Sequence, residues 1–539
     1  MALALIGPAD SSNQSNLNPL IGESYNLKLT KLVQSLLAEI GNENNNVSKF
    51  IQEFYKLMQA RIDPPLESIW VYAALTFRCR FDPKVEPLGR IEAVKQLFQF
   101  LSACSSSCSS YTSIALLVTV VYEVYKVVVG LFGKDLKSKK ERKVMKEVKS
   151  LMEVILGYLS VSCCMDLVKE GELKGSKLLV PFSDLVRLWM DSDVGLESFL
   201  PLVNGEVFGM VSEGGCDVGY LAGAVMVELF LLKLCLNLKS GTSKGELAKE
   251  MRIWAIGSIT GFSSFYFFET LVRMLLEKTL PVTSLLSSED EVFLREVLYD
   301  AVILVDYSFL NPERTIHQPV DKLRSLAMAR LIVTHEAAEF FREHGDQKRS
   351  ISYLNAFSMS SLPSQIIRWI KNQIHVEESA NKSYGSSPKA LIKWLLTLEN
   401  QGVRVFDEGS LKNHAKLVLD NSKSDIELST SKSGSKSLDD LFFVDNKGEA
   451  LDADEDDAKT NGATNDAFVA AAHSMKLTEN GERKRKGGTS SEKKKNIKFH
   501  KYEPLLSPES PSERLQFINS DDLNSGSEVE NPSSDEDTE

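Results

Sequence analysis

Leu29, Leu32, Val33, Leu36, Leu37 and Ile40 recur at intervals of three and four residues, with Lys31, Gln34 and Glu39 set between them. That spacing gathers the apolar side chains on one face of a helix and leaves the polar ones on the other. Gly41, Asn42, Asn44, Asn45 and Asn46 break the pattern, and Ile51, Phe54, Tyr55 and Met58 restart it. It returns at Ile91, Val94, Leu97, Phe98 and Leu101, at Val144, Val148, Leu151, Ile155 and Leu159, and at Val297, Leu298, Ala301, Val302 and Val305. A helix with one apolar stripe must bury it against another element, so the pattern commits the chain to packing helix on helix. Strand signals are thin. The Asn204-Gly205 turn has no alternating runs beside it, and Val403 and Val405 alternate around Arg404 too briefly.

The fold class read from this is all-α. Successive helical pairs without strands resemble armadillo and HEAT arrays in general architecture, which implies a helical array in the form of a degenerate solenoid; an irregular helical bundle is the alternative. The chain is long enough for a substantial core, with 539 residues of which 43% are apolar. Three parts are expected: a flexible N-terminus over 1–24, an all-helical domain over 25–419, divisible into two lobes, and a disordered tail over 420–539.

Three segments, 114–132, 220–238 and 253–272, are apolar over about the length that spans a bilayer. In the first, Thr119, Glu123, Lys126 and Gly130 form a narrow polar stripe, which reads as a core helix with a solvent-facing edge. The second carries Glu228 and Lys233, and a charge near a bilayer centre costs roughly 3 kcal/mol on insertion scales. The third is diluted by Gly257, Ser258, Thr260, Gly261, Ser263 and Ser264. All three are read as soluble core, with a membrane-associated protein as the alternative.

Chemistry is hard to find. The net charge of -12 argues against a surface that binds nucleic acid throughout. His335-Glu336-Ala337-Ala338-Glu339 approaches a zinc-protease helix, but the second histidine is replaced by Glu339, and His344 lies on the opposite side of the helix. It reads as a charged solvent face beside Phe340 and Phe341. The glycine-containing basic stretches 171–177 and 241–244 lack phosphate-loop spacing, and Gly214, Gly215 and Gly219 read as a connector. Seven cysteines (Cys79, Cys104, Cys108, Cys163, Cys164, Cys216 and Cys235) show no C-x-x-C pair and read as reduced thiols. No catalytic, cofactor-binding or metal-ligating residue is assigned and no cofactor is expected, with an enzyme lacking any recognisable motif as a further alternative.

From Ser422 onward serines dilute the apolar residues below what a core needs, apart from an island at Leu441, Phe442, Phe443 and Val444. Arg483, Lys484, Arg485 and Lys486 are followed, after six residues, by Lys493, Lys494 and Lys495. This is the pattern of a basic nuclear-import signal, with an import receptor as partner; phosphate contact by the same charges is the weaker reading. Ser507 and Ser510 each precede a proline, and Ser533 and Ser534 precede Asp535-Glu536-Asp537, so these four serines are candidate phosphorylation sites. The last nineteen residues hold eight acids and no lysine or arginine. The expected protein is a nuclear, non-enzymatic scaffold whose helical domain binds protein partners.

Overall fold

The computed structural model describes residues 23–41, 48–61, 63–77, 86–106, 108–132, 138–166, 177–190, 199–203, 205–213, 217–238, 244–311, 320–374 and 387–429. All of them belong to one compact unit, Met1–Ser435. The helices, in chain order, are α1 (Glu23–Gly41), α2 (Ser48–Gln59), α3 (Leu66–Phe77), α4 (Pro87–Cys104), α5 (Ser110–Leu116) and α6 (Val118–Phe132). They continue with α7 (Lys139–Asp166), α8 (Phe182–Trp189), α9 (Gly205–Glu213), α10 (Val218–Leu238), α11 (Lys244–Phe262) and α12 (Phe265–Met274). The last six are α13 (Ser288–Ile303), α14 (Val320–Glu343), α15 (Gln347–Met359), α16 (Leu362–Ile374), α17 (Pro388–Asn400) and α18 (Gly409–Ser429). Among the described residues there is no strand, only one isolated antiparallel bridge between Lys177 and Asp217. The all-α array expected from periodicity is what forms.

The apolar stripes fall where their spacing puts them. Leu29, Val33 and Leu36 of α1, Ile91 to Leu101 at helical spacing in α4, and Val144 to Leu159 in α7 are all buried. In α2 the buried stripe is Phe50, Phe54 and Leu57, one residue round from the expected face, and Tyr55 sits on its exposed rim. The array has two hubs. α10 packs against α5, α6, α7, α9, α11 and α12, and α14 packs against α12, α13, α15, α16, α17 and α18, so α12 joins them. A regular solenoid repeat would touch only its neighbours. Here Val218 to Leu236 of α10 are buried on every side, as a helix apolar all round must be.

Hub burial answers the question raised by the apolar segments. Two stretches, Ser110–Phe132 and Val218–Leu238, are apolar and long enough to cross a membrane, but 78% and 89% of their apolar windows are buried in the protein. Lys233 of α10 pairs with Glu153 of α7. The third stretch is two helices: α11 ends at Phe262, Ser263 turns with φ 47°, and Ser264 caps α12 by accepting the Phe267 N–H. The polar stripe on α6 requires correction. Lys126 and Gly130 reach solvent, whereas Thr119 and Glu123 are buried. α4 lies over that edge and supplies Arg90, 3.6 Å from Glu123, while Lys126 approaches the same carboxylate at 3.2 Å.

Candidate functional site

The histidine motif does not assemble. His335 is buried, not on a solvent face, and its Nδ1 lies 3.7 Å from Glu339. Glu339 is held by Arg342 at 2.8 Å, while the ring of exposed His344 lies tilted against Phe340 with centroids 4.2 Å apart. Helix α14 packs inward on α12, α13 and α15, which is why the His335 side becomes interior. Cys104 and Cys108 are half-buried, and burial pushes the Cys108 thiol up to about 12, with Asp63 adding to it. Such a thiol stays protonated and is a poor nucleophile. Among the described residues no three His, Cys, Asp or Glu side chains are grouped to hold a metal. The import-type residues Arg483 to Lys486 and Lys493 to Lys495, the serines Ser507, Ser510, Ser533 and Ser534, the apolar island, Cys79, Cys216, Gly214 and Gly215 lie outside the described residues.

Gly219 is no connector. It opens α10, and a Cβ there would lie 2.5 Å from the Tyr266 ring; at Gly223 a Cβ would lie 2.6 Å from the Tyr266 carbonyl oxygen. The two glycines, four apart, let α12 lie directly on α10. This contact positions a polar seam. Lys322 of α14 lies 4.7 Å from the Tyr220 ring centroid and 4.8 Å from that of Tyr266, and its Nζ is 3.2 Å from Asp217. A cation so placed is attracted by both tyrosine faces and by the carboxylate beside it.

Deeper in the seam, Arg273 of α12 is fully buried. It donates to both oxygens of Glu408 at 2.7 and 2.8 Å, to Glu269 at 3.1 Å and to Ser325 at 3.0 Å. Ser325 in turn donates to Glu408 at 2.7 Å. Burial works against the Arg273 charge, but the bonds to Glu408 and the nearby Glu269 outweigh it and push its pKa up. Burial would raise Glu408 as well, yet the Arg273 bond leaves it lowered; for fully buried Glu269 desolvation wins and its carboxyl is raised. The seam ties α12, α14 and the start of α18 together, a structural role in which every strong donor already has an acceptor within the fold.

Glu336, the residue that would be the base of the zinc motif, sits instead in an acid–base group with Arg295, Tyr299, Glu277 and Glu291. Burial pushes it up to about 8; Arg295 pulls it down and Glu277 adds to the rise. Arg295 is itself committed to Glu291 at 3.0 Å and to the Tyr299 hydroxyl at 3.3 Å. Because the folded value lies above the ordinary 4.5, the native state holds its proton where the unfolded chain has lost it, and stability falls as pH rises from about 4.5 to about 8. Glu336→Gln is therefore expected to stabilise the protein by about 1–2 kcal/mol at pH 8 and to flatten that decline, read by urea melts across the range.

One face combines features the fold leaves open. α7 begins with a reciprocal cap: Ser138 N–H donates to Glu141 at 3.3 Å, and Lys140 N–H donates to the Ser138 hydroxyl at 3.2 Å. Lys139, Lys140, Arg142, Lys143 and Lys146 then follow, all exposed. In the first turn Lys139, Lys140 and Arg142 oppose the helix dipole, at about 0.3–1 kcal/mol each, and Lys140 meets only exposed Glu86, at 3.4 Å. Two turns on, α7 and α4 border an open cavity of about 130 Å³ lined by Ile91, Lys95 and Phe98 of α4 and by Glu147, Leu151 and Val154 of α7, with Gln99 and Ser150 at its rim. Its floor is apolar, and Val154 is 55% exposed above it. Farther along the same helix face are Gly157, open to solvent with nothing near its Cβ position, and Val161, 66% exposed. The α7 periodicity was legible as a core stripe; the opposite face, with lysines giving way to valines, was the signal that the sequence reading passed over.

No family model matches the chain, and no curated protein matches it. Among solved structures it is similar to a "Circular tandem repeat protein with novel repeat topology and enhanced subunit contact surfaces", at 12% identity over 76% of this chain and 97% of that one, with a TM-score of 0.21. Nothing about the site follows from a likeness that distant, and the all-α fold stands on the chain's own helices.

Proposed function

We propose that this protein is a nuclear, non-enzymatic scaffold: the helical body binds protein partners, and the serine-rich tail sets and regulates location. The observation that carries the reading is the α4–α7 face, where an open apolar cavity adjoins a cationic helix end on an array whose other strong charges are largely satisfied internally. Arg483 to Lys486, supported by Lys493 to Lys495, engage an import receptor through their clustered positive charge. Phosphate on Ser507 or Ser510 adds roughly two negative charges beside Lys495, Lys498 and Lys501 and weakens that engagement; Ser533 and Ser534 extend the acidic end in the same way.

A fluorescent protein fused to residues 421–539 is expected to accumulate in nuclei, and replacing Arg483 to Lys486 by alanine is expected to return it to the cytoplasm. A reporter that stays cytoplasmic, or that ignores the replacement, removes the nuclear assignment. Crosslinking of the full chain in nuclear extract, with crosslinked sites mapped by mass spectrometry, tests the scaffold role: crosslinks to partner proteins are expected on the helical body.

A further inference from the structure

We infer that the α4–α7 face docks an acidic amphipathic helix of a protein partner, its apolar end seated over the cavity and Val161, its acidic end over the start of α7. This rests on the scaffold reading and narrows it to one surface and one partner chemistry. The α7 stripe Lys143, Lys146, Ser150, Val154, Gly157 and Val161 repeats at helical spacing on the exposed side. From Lys143 to Val161 it runs about 27 Å at 1.5 Å per residue, the length of a partner helix of about eighteen residues. Along it the surface changes character once, from cationic to apolar, so a complementary ligand must carry both characters in the same order.

The size of the cavity fixes the anchor. At about 130 Å³, with Ile91, Phe98 and Leu151 as its floor, it is close to the apolar cavity of roughly 150 Å³ known to accept one benzene ring. One aromatic or leucine side chain fills it. At Gly157 a Cβ would meet nothing within 4 Å, so a second backbone can pass close there. Nucleic acid is the poorer fit, because phosphates would satisfy the lysines and leave the apolar floor, Val154 and Val161 wet. Acids belong at the N-terminal end of the partner helix, where its own dipole favours them, so it runs parallel to α7. This is the helix-in-groove mode, with charge setting register and the anchor supplying affinity.

The probe is a fluorescein-labelled twenty-residue helical peptide with glutamates in its N-terminal half and Phe or Leu at i, i+4 and i+7 in its C-terminal half. It is titrated against the full chain by fluorescence anisotropy near physiological salt. Saturable micromolar binding is expected, weakened about tenfold or more by Lys143→Glu with Lys146→Glu, and to a similar extent by Val154→Asp. All three positions are exposed, and unchanged thermal melts confirm that the variants fold. Equal binding by a peptide whose Phe and Leu are replaced by alanine would overturn the proposal in favour of a bare polyanion site, as would displacement of the peptide by a DNA duplex at matched charge. Absence of peptide binding also overturns it. If crosslinked partners then map elsewhere on the body, the scaffold reading stands; if no partner crosslinks to the body, both fall.

Discussion

Replacing Arg273 by methionine is expected to remove about 3–5 kcal/mol of stability, enough to unfold a marginal domain at physiological temperature. The loss comes from what stays behind. Glu269 has no exposure and Glu408 is only partly exposed, and each would lose the cation that faces it while keeping the cost of leaving water. Breaking a buried pair by deleting one partner is far more damaging than never having had it. The pH dependence identifies the mechanism. Glu408 is held below the ordinary 4.5, so its share of stability is present above that value and is lost as pH falls through its folded value. In the methionine variant both carboxyls lose that support and prefer their protons, so its stability falls as pH rises through 4.5 and its deficit against the parent narrows in acid. Arg273→Lys is expected to recover only part of the loss, because one ammonium cannot present the fork that meets both Glu408 oxygens. Urea melts at pH 4 and pH 7 check both statements; equal deficits at the two values would mean that packing rather than charge holds the seam.

The same seam shows why part of the fold was legible in the sequence and part was not. Helical stripes are local, since the period that defines α1, α4, α7 and α13 is complete within about a dozen residues, and it gave their buried faces. Arg273 reaches partners 4, 52 and 135 residues away, and no periodicity in one chain links Arg273 to Ser325 and Glu408. His335 misled for a related reason. A histidine among Glu336, Glu339 and Arg342 reads as surface until α12, α13 and α15 close around the helix that carries it. At the basic end of α7 the local period marks Val144 and Val148 as the buried stripe, and no local period says what the exposed stripe meets.

Exposure separates the two kinds of charge in this protein. Arg273 and Arg295 are enclosed with acids that match them, and changing either costs stability. Lys143 and Lys146 stand exposed on α7, so changing them is expected to leave folding intact and to alter only what binds. That contrast lets the docking face be tested by charge reversal without confounding binding with unfolding.

Gly223→Val is expected to cost about 3 kcal/mol, the upper part of the range for overpacking. The usual escape is closed. Where a new methyl meets the far end of a flexible side chain, the chain moves; here it meets the Tyr266 carbonyl oxygen at 2.6 Å and its carbon at 2.7 Å, with the Thr270 hydroxyl at 3.1 Å. Those backbone atoms belong to α12, and moving them shifts Glu269 and Arg273 on the same helix, so the seam is strained with the packing. Helix propensity works the other way, since valine is better than glycine in a helix interior by less than about 1 kcal/mol, so the net loss understates the cost of the contact. Gly257 supplies the control. It lies exposed in the middle of α11 with nothing within 4 Å of its Cβ position, so Gly257→Ala is expected to stabilise by about 0.5–1 kcal/mol. Opposite signs for the two substitutions in thermal melts would establish that α10 and α12 meet backbone to backbone; the same sign would place the helices farther apart than the two glycines require.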